Sequence, residues 1–224
     1  MLTAKQLLGL DNSHLQRQGD LLLEGNALAS LNRMQQRALA DGIRLTVASA
    51  HRSFDSQLAI WNAKANGQRV LRDKQHQPID YDSLSKSQLV DAILIWSALP
   101  GASRHHWGTD VDLFDSSAIA RSELQMVAGE YQQGGPCFPL SEWLQQNAAD
   151  FGFYRPYRSQ SNGVQPEPWH YSYAPIATQC LNGCDLSALN KVIKDANITL
   201  QDEVLAKLEH IRKHYVLQVD QPPW

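Results

Sequence analysis

The chain has 224 residues, 43% of them hydrophobic and 19% charged, with a formal net charge of −3. At about 150 residues per domain this length allows one or two domains, and the apolar share is enough for a real core, which excludes a disordered chain. The slightly acidic balance gives no pull toward nucleic acid. The longest apolar run, 92–96, falls far short of the ~20 residues of a membrane-spanning helix. The first residues lack the apolar core and small-residue cleavage site of a secretory signal, so sequence alone points to the cytoplasm or to export by another route. Three cysteines, Cys137, Cys180 and Cys184, read as buried or idle thiols rather than a bridge or a metal site.

In chain order, residues 26–41 carry Leu28, Leu31, Gln35, Ala38 and Leu39 at helical spacing, closed by Asp41-Gly42. Alternation over 43–49 predicts a half-buried strand that runs into His51-Arg52-Ser53. A helix follows, aligning Leu58, Trp61 and Ala65. Residues 68–87 are polar, contain a proline and show no period, as expected of a lid or flexible surface excursion. A helix over 86–98 aligns Leu89, Ile93 and Trp96. Residues 109–114 read as a strand with Asp110, Asp112 and Phe114 on one face. The stretch 116–146 is expected to be mostly helical, broken at Gly134-Gly135-Pro136, and 163–174 to be a strand whose prolines confine its first half to an edge or bulge. A closing helix over 200–215, N-capped by Thr199, turns Val204, Leu208, Ile211 and Tyr215 inward. With no repeat or low-complexity linker, the fold class is α+β, helices around a small, mainly antiparallel sheet. One domain over 1–224 is expected, with a motif-bearing core at about 26–175 and a C-terminal helical appendage at about 176–224.

Two clusters carry chemistry, the run from Ser103 to Asp112 and Glu167-Pro168-Trp169-His170. A zinc hydrolase needs three N or O ligands and an open fourth position. It also needs a carboxylate that is not a ligand and can take a proton from water. His105, Asp112 and His170 meet the first need and Glu167 the second. By spacing alone, each cluster is equally an ordinary turn with a satisfied histidine.

The run Ser103–Asp112 resembles the S-x-H-x-x-G-x-A-x-D motif of the VanY-type zinc D-alanyl-D-alanine carboxypeptidases and dipeptidases, and Glu167–His170 resembles their E-x-W-H motif. His51-Arg52-Ser53-Phe54 is similar to the family's Y-R-S segment, with Gln57 at the familiar offset, and Phe151-Gly152-Phe153 also matches, so the resemblance covers 43–174. It implies a Hedgehog/DD-peptidase-like fold and one Zn²⁺ per chain on His105, Asp112 and His170. It makes Glu167 the general base and sets Arg52 at the scissile carbonyl or the substrate's terminal carboxylate. Ser103 and Gln57 would hydrogen-bond the peptide end. The implied partner is a bacterial peptidoglycan stem peptide or muropeptide, which places the protein at the cell envelope or periplasm. D-alanyl-D-alanine carboxypeptidase is the first activity, with D,D-dipeptidase, L,D-carboxypeptidase and stem-peptide endopeptidase as variants. A non-catalytic zinc-containing cell-wall-binding module, or a structural zinc site completed by Asp110 or His106, is the rival.

Two departures stand out. Asp110 replaces the family's small residue and is either a second carboxylate beside the metal or, the simpler reading, a solvated strand-edge residue. His51 replaces a tyrosine. His106 is expected to point away from the metal, and His210 and His214 to form a solvated cationic helix end. Trp61 and Trp96 read as core packing, Trp107 and Trp169 as either cleft wall or core.

Overall fold

A computed structural model describes residues 2–159 and 163–224. Thr3 and Gln6 form a reciprocal capping box that starts the short helix α1 (Ala4–Leu7). A hairpin of β1 (Leu15–Gln18) and β2 (Leu21–Glu24) follows, absent from the sequence-based elements. The Glu24 carboxylate accepts from the backbone N–H of Asn26 and Ala27 and so caps α2 (Gly25–Ala40). Next come β3 (Leu45–Ser49), α3 (Phe54–Ala65), the short strands β4 (Leu71–Arg72) and β5 (Pro78–Ile79), and α4 (Lys86–Leu94). The remainder is β6 (Asp110–Asp115), α5 (Phe138–Asn147), β7 (Phe153–Tyr154), β8 (His170–Tyr173), α6 (Ala174–Asn182), α7 (Leu186–Asp195), α8 (Gln201–Ala206) and α9 (Leu208–Ile211).

The central sheet has the order β3-β6-β8-β7 and is antiparallel throughout. The α+β expectation therefore holds. Side chains alternate across it: Val111 and Leu113 join Leu28, Leu31 and Met34 of α2 and Leu140 and Leu144 of α5 in one apolar cluster, which leaves Asp110 and Asp112 for the opposite face. A second cluster lies beyond that face. In it Trp61 of α3 and Val90 and Ile93 of α4 meet Leu189, Ile193, Val204, Leu208 and Ile211. Leu189, Ile193, Val204, Leu208 and Ile211, all beyond residue 175, thus pack against α3 and α4.

Several local expectations need correction. Among the described residues, 116–137 hold no α-helix, only turns and a 3₁₀ turn at 128–131. The Asp115 carboxylate takes the Ser117 N–H, and Glu130 takes the N–H groups of Gln125 and Val127, so side chains satisfy the backbone locally instead of a helix. Of 163–174, only His170–Tyr173 join the sheet. The closing helix is broken into α8, α9 and a π turn over 212–216. Thr199 does not cap it: its N–H and C=O are taken by Asn62 and Trp61 of α3, and the chain turns through Leu200 at φ +65°. The 68–87 segment is a small hairpin tied down by Trp96 Nε1, which donates to Asp73 O at 2.9 Å, and by the Tyr81 hydroxyl on Ala65 O at 2.8 Å. No helix of the described residues is long and apolar enough to cross a membrane.

Gly108 lies between the site turn and β6 at φ +70°, where a Cβ would meet Leu15 Cδ2 and sit 3.0 Å from Glu24 N. Gly108→Ala is expected to cost about 1–3 kcal/mol, seen as a lowered midpoint in thermal unfolding. An unchanged midpoint would show that the hairpin yields freely.

Candidate active site

Antiparallel register builds the first half of the site. Asp112 of β6 is paired with His170 of β8, and Asp110 with Ser172, so both aspartates and the histidine project to one face. The 3₁₀ turn at 104–107 delivers His105 to the same place. The turn 167–170, closed by His170 N–H on Glu167 O at 3.2 Å, sets Glu167 beside His170. His105 Nε2 is 3.5 Å from Asp112 Oδ2, His170 Nδ1 is 3.5 Å from Asp112 Oδ1, and one ligand atom from each of the three lies within 4.8 Å of the others. Among the described residues this is the one cluster of its kind. Glu167 Oε2 stands 3.1 Å from His170 Nδ1.

The outer nitrogens are spoken for. His105 Nδ1 bonds Ala50 O at 2.7 Å and His170 Nε2 bonds Asp110 Oδ1 at 2.9 Å, which turns His105 Nε2 and His170 Nδ1 toward each other. Asp110 is fully buried, and this corrects the strand-edge reading. It also accepts from Arg104 Nε at 2.8 Å, Thr109 Oγ1 at 2.6 Å and Ser172 Oγ at 3.1 Å. Burial would raise its pKa, but the Arg104 charge and the His170 and Thr109 hydrogen bonds hold it well below the usual carboxylate range. Arg104 lies over the Trp107 ring at 4.8 Å, and Trp107 is packed in the core.

A donor set of two imidazole nitrogens and one carboxylate suits zinc, whose ligand distances of about 2.0–2.2 Å imply separations near 3.5 Å in a tetrahedron. Two further observations fit a cation there. Asp112 Oδ1 is buried with no hydrogen-bond partner among the described residues. Burial alone would lower the His170 pKa, yet hydrogen bonds to Asp110 and Glu167 and the charge of Asp112 push it up to about 10, so its surroundings favour positive charge.

The cluster opens into a cleft of about 300 Å³ whose wall includes Arg52, Ser103, Trp96 and Trp169. Arg52 is held by Gln57 Oε1 at 2.7 Å and Ser49 Oγ at 3.1 Å. Gln57, expected to bind the peptide end, is fully buried behind Arg52 and spends its Nε2 on Ala98 O at 2.7 Å. Its observed part is to hold Arg52. Ser103 does line the cleft, and its hydroxyl caps no backbone N–H. Trp96 lines the cleft, stacked on His76 at 4.1 Å, and also packs against the apolar cluster of Phe114, Leu124 and Trp169. Trp169 is both, facing the cleft and packing on Tyr131 at 5.7 Å.

His106 points away from the cluster, as expected. Its Nδ1 donates to Arg52 O at 2.6 Å and its Nε2 accepts from Gly101 N–H at 3.0 Å, and burial pushes its pKa down to about 3. Burial and the charges of His14, His105 and Arg52 take His51 down to about 4. His210 and His214 lie with ring centroids 4.5 Å apart, and His214 Nδ1 is 3.2 Å from Gln218 Oε1. The three cysteines are free thiols. Two contributors escaped the sequence. Arg104 sits inside the motif beside a carboxylate, which was its available signal. Tyr157 had none: it comes from a loop, stacks edge-on to His170 at 5.1 Å and fixes Glu167 by accepting its N–H at 3.0 Å.

The family model for VanY, D-alanyl-D-alanine carboxypeptidase, matches residues 20–176. The chain belongs to this family. An uncharacterised protein of Haemophilus influenzae is 40% identical to this VanY-family chain over 122 residues, 53% of the chain and 93% of the relative. A D-alanyl-D-alanine carboxypeptidase of Enterococcus faecalis is 29% identical over 142 residues, 62% of the chain and 43% of that protein. In fold it is similar to VanYB in complex with D-alanine-D-alanine (TM-score 0.54, 24% identity, 75% of this chain and 83% of that one). It is similar also to a mutant of the D,D-pentapeptidase VanY in complex with Zn(II) (TM-score 0.53, 23% identity, 85% and 88%).

Removing Arg104 leaves Asp110 buried without its cation. Arg104→Met is expected to lower stability by about 3–5 kcal/mol in urea unfolding, and adding Asp110→Asn to recover part of it. Equal stability of Arg104→Met and the native chain would mean Asp110 is neutral.

Proposed function

We propose that this chain is a zinc peptidase that removes a terminal D-alanine from peptidoglycan stem peptides or muropeptides, acting where those peptides occur at the cell envelope or are recycled. The observation that carries the reading is the convergence of His105, Asp112 and His170, by their cleft-facing atoms, with a separate carboxylate, Glu167, beside them. His105 Nε2, Asp112 and His170 Nδ1 would hold one zinc ion. Bound there, zinc supplies a Lewis acid and lowers the pKa of water toward ~7.

Each residue then has a task that its position supports. Asp110 and Ala50 O orient the two imidazoles from behind. Glu167, nearly buried and fixed through its backbone on Tyr157, takes the proton from the attacking water and returns it to the leaving amine. Arg52, tied by Gln57 and Ser49, offers its remaining N–H groups to the oxygen of the scissile carbonyl as charge builds there. Ser103 hydrogen-bonds the peptide end from the cleft wall. Trp96 and Trp169 exclude water, which strengthens these electrostatic contacts. A non-catalytic module would have no use for a held carboxylate at Glu167, which favours turnover over binding alone.

The test is zinc content measured together with D-alanine release from a stem pentapeptide. Near one zinc per chain is expected, and Glu167→Ala should keep the metal while losing release by about 10²–10⁴-fold. Chelation should abolish release and added zinc restore it. A chain that takes up no zinc near neutral pH, or a Glu167→Ala variant that releases D-alanine undiminished, would refute the reading.

A further inference from the structure

Four cations line the cleft: Arg52, Lys64, Arg72 and Arg104. Arg104 is matched by Asp110, but among the described residues none of the other three makes an ion pair with a carboxylate. On an open surface water would solvate such charges. Lys64 is instead half-buried on α3, next to the fully packed Ala65. Among the described residues its ammonium gives one hydrogen bond, to Ser97 Oγ at 2.7 Å, and Ser97 also lines the cleft. Three donors less one leave two N–H groups for something else. Burial and the like charges of Arg69 and Arg52, opposed by Glu167, press the Lys64 pKa down to about 8. A cation held in such a place is costly until an anion meets it.

Position along α3 says which anion. Lys64 follows Gln57, the residue that holds Arg52, by seven positions, hence on the same helix face and about 10 Å along it. Helical side chains lean toward the N-terminus of their helix, so the long lysine stem leans back toward Arg52. Arg52 has the charges of Asp112 and Glu167 as its neighbours, and so belongs to the reacting bond. A second, compact point charge just beyond the reacting bond suits a free carboxylate one residue past it.

We propose that Lys64, held by Ser97, anchors the free C-terminal carboxylate of the substrate peptide and makes the cleft an exopeptidase site, a role that rests on the peptidase reading above. Lys64 is then the residue that rejects a bond inside a chain, because an internal peptide brings no anion to it and leaves the buried ammonium unpaired.

The experiment compares two stem pentapeptides that differ only at the C-terminus, free acid against primary amide, on the zinc-loaded protein. The native chain should prefer the acid. Lys64→Met should lower kcat/KM for the acid on the order of 10–100-fold, mainly through KM, and leave the amide rate unchanged; Lys64→Arg should restore most of the preference. The acid-to-amide ratio within one variant guards against a loss that is only misfolding. Equal losses on both peptides, or none on either, would overturn the proposal. If the native chain cleaves neither peptide, the peptidase reading fails, and a calorimetric titration still judges Lys64 by itself. In that titration the acid should bind zinc-loaded Glu167→Ala more tightly than it binds Glu167→Ala with Lys64→Met. No difference, or no binding to either, counts against the anchor.

Discussion

Asp110 gathers Arg104, Thr109, Ser172 and His170 around one carboxylate with no exposure to water, every donor within 3.1 Å. A buried aspartate is tolerable only when nearly all its lone pairs are met and its charge is balanced, so the four partners leave it little freedom. The constraint propagates outward. Ser172 and His170 lie on β8 and Arg104 on the turn before β6, so the same group pins the β6–β8 register and the approach of the turn. A slip of one residue would turn Asp110 and Asp112 to the face where Val111 and Leu113 now pack. The His170 ring is fixed at Nε2, which commits Nδ1 to the cleft.

The cleft lies between two apolar clusters with different duties. Leu28, Leu31 and Met34 of α2, with Leu140 and Leu144 of α5, support the sheet and hence the proposed ligands. Trp61, Val90 and Ile93, with Leu189, Ile193 and Leu208, support α3, and with it the cationic wall of Arg52 and Lys64. The link between α3 and the C-terminal helices is polar as well as apolar, since Trp61 Nε1 and Asn62 Oδ1 both bond Thr199. The C-terminal helices therefore take part in the site at a distance, by fixing the helix that carries the positive wall.

What the sequence made legible follows from what is local. His105, Asp112, Glu167 and His170 fall at spacings set by one turn, one strand and one tight turn, and the structure brings them together. Asp110 was misjudged because alternation tells which face a residue shares, not whether that face meets solvent. The bonds of Gln57 to Arg52 and Ala98 were hidden for a related reason: an offset from Arg52 along a helix cannot say whether the amide faces the cleft or the back of the arginine. The hairpin 15–24 is too short for a period to show. Over 116–137 the carboxylates of Asp115 and Glu130 compete for the backbone at particular residues, and propensity averages such bonds away. Leu200 adopts φ +65° because of bonds made by α3, far off in the sequence.

The excursion 68–87 shows how such long-range contacts shape the chemistry. It is polar and aperiodic, the composition of a mobile lid, yet Trp96 reaches out of the end of α4 to bond Asp73 O and stacks on His76, while Tyr81 bonds back to α3. The indole is half spent as a strut and half as cleft wall, next to Trp169 at 6.4 Å between ring centroids. A wall held at both ends bounds the cleft on the side of Arg72 and His76 and replaces mobile water with fixed aromatic surface. Where water is scarce, the separation of charge between Asp112 and Glu167 on one hand and Arg52 and Lys64 on the other is poorly screened. On the proposed reading that field orients a peptide by its own charge, the negative end toward the cations and the carbonyl toward His105, Asp112 and His170.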